Sequence, residues 1–172
     1  MNNPRVLLQT DLGNIILELY AQQAPVTVAN FLRYIDEDRF TTACFYRVVH
    51  MDNQPSNDAK IEVIQGGLKD DDHPQSLPTI AHEITTQTGI SHKDGSISMA
   101  RNEPGTASSE FFICINDQPE LDFGGGRNPD GQGFAAFGRV IEGMDIVRKI
   151  HSQPLKGQYL LTEIKVNTIT RL

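Results

Sequence analysis

Short apolar runs typical of β-strands recur along almost the whole chain, whereas only two segments have the periodicity of a helix. Residues 6–10 and 14–19 flank a turn that contains Gly13, and they predict a β-hairpin. Six further runs predict strands at residues 45–49, 61–65, 96–100, 111–115, 134–140 and 161–170. Because strands and helices do not alternate regularly, this order argues against a doubly wound parallel sheet.

The two helical segments complete the predicted fold. Pro25 suits the first turn of a helix, and apolar residues recur at helical spacing from there to Asp38. Residues 144–150 predict a second helix, and residues 50–97 are mostly loop around two of the strands. We therefore predict a mainly β fold: a closed eight-stranded antiparallel barrel capped by two α-helices, in a single domain spanning residues 1–172.

Charge and hydropathy exclude several classes of partner. The chain has 15 basic and 22 acidic residues, a net charge of -7, and no basic stripe, so binding to nucleic acid or a membrane surface has no electrostatic source. The N-terminus has no secretory signal, and no apolar run is long enough to span a membrane. We expect a soluble monomer, cytoplasmic as the chain stands and periplasmic if a leader was removed.

Metal, nucleotide and covalent chemistry have little support in the sequence. Three histidines in the central loops lack the spacing of a metal site: His73, His82 and His92. Residues 128–133 predict a polar turn rather than a calcium loop, and residues 124–127 a flexible loop rather than a phosphate loop. Cys44 and Cys114 border apolar strands, where reduced, buried thiols are expected. No nucleophile motif is present, and we expect no metal and no cofactor.

One arginine lies inside an otherwise apolar strand. A guanidinium is charged at every working pH, so Arg47 either points to water or acts on a ligand. Further apolar segments carry the isolated amides, hydroxyls and charges expected of a site that binds a peptide and changes its conformation.

Five motifs, in this order and spacing, resemble those of the cyclophilin family of peptidyl-prolyl cis-trans isomerases. They are Phe-Tyr-Arg-Val-Val at residues 45–49, Val-Ile-Gln-Gly-Gly at 63–67, Ser-Ile-Ser-Met-Ala-Arg at 96–101, Ser-Glu-Phe-Phe-Ile at 109–113 and Phe-Gly-Arg-Val-Ile-Glu-Gly-Met at 137–144. The resemblance extends from Val6 to about Ile169, and it independently implies the barrel with two helical caps.

The resemblance also implies the residues of the site. Arg47 corresponds to the catalytic arginine, and Gln65 lies beside it as a catalytic amide. The positions implied for substrate binding are Tyr46 in place of the usual histidine, Val63, Ala100, Arg101 in place of the commoner asparagine, Glu110, Phe112, Leu121 and Phe134 in place of a frequent histidine. Val63, Phe112 and Leu121 would form an apolar proline pocket, and Ala100 and Arg101 would contact the substrate backbone.

Three acidic residues depart from the family pattern. Glu110 replaces a glutamine, and we expect it to pair with Arg47 and reduce the positive charge available to a substrate. Glu62 falls near the usual pocket phenylalanine, so that one apolar wall is lost if the alignment holds across the insertion at residues 51–60. Glu120 replaces an aromatic residue that contacts cyclosporin in sensitive relatives, so we expect weak binding of that drug.

The implied function is acceleration of X-Pro isomerisation in proline-containing peptides and unfolded proteins. The alternative is a non-catalytic module or holdase that binds proline peptides in the same groove, with Arg47 neutralised by Glu110. Proline isomerisation suits this residue inventory because rotation about the amide breaks resonance without making a bond to carbon.

Overall fold

The computed structural model describes residues 2–172. The strands are β1 Arg5–Thr10, β2 Gly13–Leu19, β3 Cys44–Val49, β4 Val63–Gly67, β5 Ser96–Met99, β6 Phe111–Cys114, β7 Ala135–Glu142, β8 Leu155–Lys156 and β9 Tyr159–Arg171. The helices are α1 Pro25–Asp36, α2 Thr85–Thr88 and α3 Met144–His151, and a 3-10 turn spans Pro119–Leu121. None of the helices in this described part is long and apolar enough to cross a membrane.

Eight strands form a closed antiparallel barrel in the order β1-β2-β7-β5-β6-β4-β3-β9. Pairing of β1 with β9 closes the ring, with partners that run from Val6 opposite Arg171 to Thr10 opposite Val166. The two-residue strand β8 lies outside this ring and forms a small hairpin with β9. The predicted eight-stranded barrel, with α1 and α3 as its two longer helices, is therefore confirmed.

Several predicted boundaries shift for local reasons. Helix α1 ends two residues before the predicted Asp38, which adopts a positive φ of 51° that a helix does not permit. Strand β4 begins at Val63 because the side chain of Gln54 takes both backbone hydrogen bonds of Ile61, at 3.1 Å from its nitrogen and 2.7 Å from its oxygen. The sequence analysis did not predict α2, the 3-10 turn or β8.

The main core lies inside the barrel and under α1. Phe31 on α1 is 1% exposed and packs against Phe111 and Phe137, with ring centroids 5.6 and 5.3 Å apart. Both cysteines are free and buried, as the sequence predicted, and burial raises the pKa of the Cys44 thiol to about 12.

A second, smaller apolar cluster lies on the opposite face of the sheet. It contains Val49, Ile61, Val63, Phe112, Cys114 and Leu121, with Ala100 and Phe134 packed against it. Strand β6 shows how the two clusters separate, because Phe111 and Ile113 belong to the main core whereas Phe112 and Cys114 belong to the second cluster. This second cluster gives the outside of the barrel an apolar surface on which a site can form.

Candidate active site

The second cluster forms the floor of a pocket of about 370 Å³ on the outside of the barrel. All ten residues that the sequence analysis selected as catalytic or substrate-binding line this pocket. They come from β3, β4, β6 and the 3-10 turn, from the two residues after β5, and from the residues immediately before β6 and β7. The barrel topology therefore brings together side chains that are widely separated in the chain.

A register shift in β3 places two consecutive side chains in the pocket. The pairing of β3 with β4 and with β9 is irregular between Phe45 and Arg47, as in a β-bulge. Strict alternation would send Tyr46 and Arg47 to opposite faces, whereas both line the pocket. The bulge thus adds a hydroxyl group beside the guanidinium.

Two glutamine side chains hold the guanidinium of Arg47. Its Nη1 donates to Oε1 of Gln65 at 2.8 Å, and its Nε and Nη2 donate to Oε1 of Gln158 at 3.0 and 2.6 Å. Gln158 is held in turn because its Nε2 donates to the carbonyl oxygen of Asn53 at 3.0 Å. Burial lowers the pKa of Arg47, but an arginine remains charged at neutral pH.

The polar contacts continue from Gln65 to Glu110. Gln65 donates through Nε2 to the hydroxyl of Tyr46 at 3.0 Å, and that hydroxyl donates to Oε1 of Glu110 at 2.7 Å. Burial, followed by the adjacent Glu110 carboxylate, raises the pKa of Tyr46, so the phenol keeps its proton. The amide of Gln65 is consequently fixed at both ends, with its oxygen facing Arg47.

Glu110 does not pair with Arg47, so this prediction was wrong. Besides the Tyr46 hydroxyl, its carboxylate accepts the backbone N–H groups of Leu68 and Lys69, at 2.9 and 2.7 Å, and the hydroxyl of Ser109 at 2.9 Å. A positive φ of 76° at Lys69 turns the chain around the carboxylate, and a Cβ atom on residue 67 would collide with it. The local backbone, rather than the arginine, therefore satisfies this charge.

The apolar floor is formed by Val63, Phe112 and Leu121, which are exposed by 2%, 4% and 0%. Phe134 stands edge-on to Phe112, with ring centroids 5.4 Å apart and an interplanar angle of 89°. Ala100 completes the lining on one side, and Ile61, which the sequence analysis did not select, completes it on another. A small aliphatic ring would be surrounded by apolar atoms here.

Glu62 does not remove a wall of this pocket. The pocket-lining residues on either side of it are Ile61 and Val63, and the carboxylate of Glu62 lies near Nε2 of His151, 3.9 Å away. The apolar wall is kept because Gln54 in the insertion binds the backbone of Ile61, whose apolar side chain lines the pocket.

Arg101 contributes to the pocket as a buried anchor for a neighbouring loop. Its side chain is 1% exposed and donates to the carbonyl oxygen of Gly133 and to the carboxylate of Asp130, at 2.6 to 3.0 Å. Its guanidinium carbon also lies 5.0 Å from the centre of the Phe134 ring. The predicted polar turn at residues 128–133 is therefore fastened to the wall of the pocket.

Arg127 fastens the insertion at residues 51–60 in the same way. Its Nη1 donates to Oε1 of Gln54 at 2.6 Å and to the carbonyl oxygen of Ala59 at 3.0 Å. Glu120 is exposed nearby, and its carboxylate accepts the backbone N–H of Gly126 at 2.6 Å. The loop at residues 124–127, which the sequence suggested to be flexible, thus has specific contacts at Gly126 and Arg127.

A buried histidine supports the pocket from behind. Nδ1 of His92 donates to Asp122 at 2.7 Å, and Nε2 accepts from Ser98 at 2.8 Å, because an ionised carboxylate can only accept. The ring of His92 stacks on Phe112 at 6.0 Å. Burial acts to raise the pKa of Asp122, but the hydrogen bonds from His92 outweigh it and the pKa is lowered.

Sequence reasoning missed Gln158, which makes two of the three hydrogen bonds that hold Arg47. It lies between β8 and β9, a hairpin too short to give an alternating pattern. A lone glutamine after a glycine has no sequence pattern that predicts a role in a site. The pairing of Arg47 with Tyr159, the residue that follows Gln158, brings the glutamine to the site.

Comparison with known proteins agrees with this fold. A sequence profile of the family described as "Cyclophilin type peptidyl-prolyl cis-trans isomerase/CLD" matches residues 5–171. Peptidyl-prolyl cis-trans isomerase cyp18 of Streptomyces antibioticus is 35% identical over 146 residues, which are 84% of this chain and 81% of that protein. Peptidyl-prolyl cis-trans isomerase B of Escherichia coli is 31% identical over 146 residues, covering 84% of this chain and 82% of that protein.

The fold is also similar to that of a solved cyclophilin type peptidyl-prolyl cis-trans isomerase from Cryptosporidium parvum. One crystal structure has a TM-score of 0.76 and 22% identity, covering 99% of this chain and 98% of that chain. Another, determined in the presence of the dipeptide Ala-Pro, has a TM-score of 0.74 and 23% identity, covering 96% of this chain and 97% of that chain. With a profile match across nearly its whole length, the chain belongs to the cyclophilin-type peptidyl-prolyl cis-trans isomerase family.

Proposed function

We propose that this protein catalyses cis-trans isomerisation of X-Pro bonds in peptides and unfolded proteins, with Arg47 as the electrostatic catalyst. One observation carries the proposal: the guanidinium is fixed beside an apolar pocket without being neutralised. Gln65 and Gln158 are uncharged, and together they take three of its five N–H groups. Within residues 2–172, two N–H groups on the outer nitrogens therefore remain for a substrate.

The chemistry of the reaction explains why a fixed cation is useful. Rotation about an X-Pro amide breaks its resonance against a barrier of about 18–20 kcal/mol. In the twisted transition state the prolyl nitrogen regains a lone pair, which the planar ground state delocalises into the carbonyl. A donor from Arg47 stabilises that lone pair and has little to bind in the ground state, so it lowers the barrier.

The magnitude available to Arg47 is modest but measurable. Hydrogen bonds that involve a charged group contribute about 1.5–3 kcal/mol, which corresponds to roughly one to two decades of rate. The rest of the acceleration comes from holding the substrate in a reactive conformation. No covalent intermediate is needed, because rotation about the amide makes no bond to carbon.

Proline recognition follows from the apolar floor. Val63, Phe112 and Leu121 form a dry surface that suits a pyrrolidine ring, and the edge-on ring of Phe134 borders it. The related Cryptosporidium parvum protein was crystallised in the presence of Ala-Pro, which supports a proline peptide as the ligand class. Because the side chain of Arg101 is buried and occupied, we assign substrate contact at Ala100 and Arg101 to their backbone groups.

The non-catalytic alternative loses its basis in this geometry. It depended on neutralisation of Arg47 by Glu110, whereas the Glu110 carboxylate accepts from Tyr46, Ser109 and two backbone N–H groups. We therefore favour the enzyme over the binding module.

The decisive experiment measures cis-trans exchange of a short Ala-Pro-Phe peptide by NMR. The unmodified protein should accelerate exchange, and Arg47→Ala at equal concentration should lose tenfold or more of that rate, as expected from the energy above. Arg139→Ala is the matched control, because Arg139 lies on β7 with its side chain 57% exposed and pairs with Glu18. A folded protein that binds the peptide without accelerating exchange would contradict the proposal.

A further inference from the structure

Two histidines and a glutamate meet away from the pocket, where β3 ends, β4 begins and α3 ends. His50 follows β3, Glu62 precedes β4, and His151 is the last residue of α3. Each offers one ligand atom, and these three atoms lie within 4.8 Å of one another. The rings of His50 and His151 have centroids 4.1 Å apart at an angle of 56°.

The cluster is partly shielded from water. The side chains of His151 and Glu62 are only 12% and 22% exposed, with Nε2 of His151 at 3.9 Å from Oε2 of Glu62. That separation is longer than a hydrogen bond, so these two groups approach each other without direct pairing. A cation held by Glu62 and by the ring nitrogens that carry lone pairs would satisfy the carboxylate.

The backbone positions of two members of the cluster are fixed by one residue of the insertion. Gln54 is 1% exposed; its amide donates to the carbonyl oxygen of His50 and also binds both backbone groups of Ile61, next to Glu62. The backbone N–H of His50 is held as well, by Oδ1 of Asn53 at 2.6 Å. The insertion thus sets the spacing between the two ligand-bearing segments before any ion arrives.

His151 makes a hydrogen bond to a backbone carbonyl of the kind that metal-binding histidines usually make through the nitrogen that does not bind the metal. Nε2 of His151 lies 3.1 Å from the carbonyl oxygen of Val49, which can only accept a hydrogen bond. Donation to a backbone carbonyl fixes the tautomer of a ligating histidine and leaves the lone pair on its other nitrogen, Nδ1.

We propose that His50, Glu62 and His151 form a binding site for a divalent first-row transition metal ion, with Zn²⁺ the best match. Two imidazoles and one carboxylate are a ligand set that zinc uses with water at the remaining position. Tetrahedral zinc with ligands at about 2.0–2.1 Å holds its donor atoms roughly 3.3 Å apart. One candidate ligand atom from each residue already lies within 4.8 Å of the others, so small side-chain rotations that present Nδ1 of His151 complete the geometry.

This site is separate from the pocket but adjoins it through the backbone. Val49 and Val63, whose side chains belong to the pocket cluster, are paired across β3 and β4 and neighbour His50 and Glu62 in sequence. A bound ion would clamp the ends of both strands to α3. We assign it a stabilising role, since Arg47 has its own partners and needs no metal.

The test uses protein without a histidine tag, titrated with Co²⁺ and then with Zn²⁺. We expect one Co²⁺ per chain, with visible absorption bands that Zn²⁺ abolishes, and a higher unfolding temperature with Zn²⁺. His50→Ala and Glu62→Gln should each weaken binding by more than the roughly 10- to 100-fold that loss of an outer-shell partner costs. His73→Ala is the control, because His73 contacts Thr42 and Gln75 elsewhere and should leave binding unchanged.

Two outcomes would overturn the proposal. One is the absence of both the Co²⁺ bands and the thermal shift in the unmodified protein, which would leave the two rings as a packing contact. The other is binding that persists undiminished in both His50→Ala and Glu62→Gln, which would place the ion elsewhere. Circular dichroism spectra matching that of the parent establish that the variants are folded, and His50→Gln replaces His50→Ala if the latter is not.

Discussion

Replacing Gln158 with leucine tests whether catalysis depends on the orientation of the Arg47 guanidinium, because the substitution leaves its charge unchanged. Leucine has a similar size but no acceptor, so the hydrogen bonds from Nε and Nη2 of Arg47, at 3.0 and 2.6 Å, are both lost. The bond from Nη1 to Gln65 at 2.8 Å remains. The guanidinium then stays charged and attached at one corner, but it is free to rotate.

The expected loss follows from these contacts. If rotation removes the aligned donor that faces the prolyl nitrogen, the transition state loses one charge-assisted hydrogen bond, worth about 1.5–3 kcal/mol. At about 1.4 kcal/mol per decade, kcat should fall roughly 10- to 100-fold. KM should change little, because the apolar floor that holds the proline ring does not include Gln158.

NMR exchange over a range of peptide concentrations separates kcat from KM. Gln153→Ala is the matched control, since that glutamine donates only to the carbonyl oxygen of Lys149 on α3. Unchanged kcat in folded Gln158→Leu would refute the view that Gln158 positions Arg47.

Three further predictions concern other residues around the pocket. Glu110→Gln should lower the free energy of unfolding by about 1–3 kcal/mol in urea titrations, because its NH2 group would face backbone donors, while the isomerisation rate stays near that of the parent; a tenfold faster variant would instead mean that Glu110 damps Arg47. The pKa of Asp122 is lower in the folded protein than the 3.8 expected for the unfolded chain, so its ionised carboxylate stabilises the fold at higher pH. This contribution is lost as pH falls below about 4. Asp122→Asn should therefore lose less stability than the parent between about pH 5 and pH 3, and equal losses would contradict this. Cyclosporin should bind weakly, because the exposed Glu120 offers a carboxylate at the position where the resemblance implies an aromatic contact; direct titration giving sub-micromolar affinity would refute it.

The parts of the site that lie on regular strands could be predicted from the sequence. Alternation along β6 separates Phe111, which is core, from Phe112, which faces the pocket. The motif order placed Arg47 beside Gln65, and the observed register pairs them directly. Along β6 local pattern and tertiary structure depend on the same two-residue period, whereas the bulge in β3 that brings Tyr46 and Arg47 to one face has no such pattern.

The contacts that sequence reasoning misplaced depend on irregular backbone. The partners of Glu110 follow from the turn at Lys69, whose positive φ has no clear signature in a lysine. The orientation of Glu62 depends on Gln54, which reaches across the insertion to the backbone of Ile61. Each case involves a side chain that binds backbone groups several residues away, and no periodic pattern encodes such a contact.

Closure of the barrel by β1 and β9 has a consequence for the binding of unfolded chains, which we propose as substrates. An open sheet edge offers unpaired backbone groups on which an extended client can add as a strand, and such additions lead to aggregation. In the described part of this chain, all eight long strands are paired on both sides, and the short β8 provides an edge of only two residues. Within the described residues, an extended chain therefore has only the two residues of β8 on which to add as a strand.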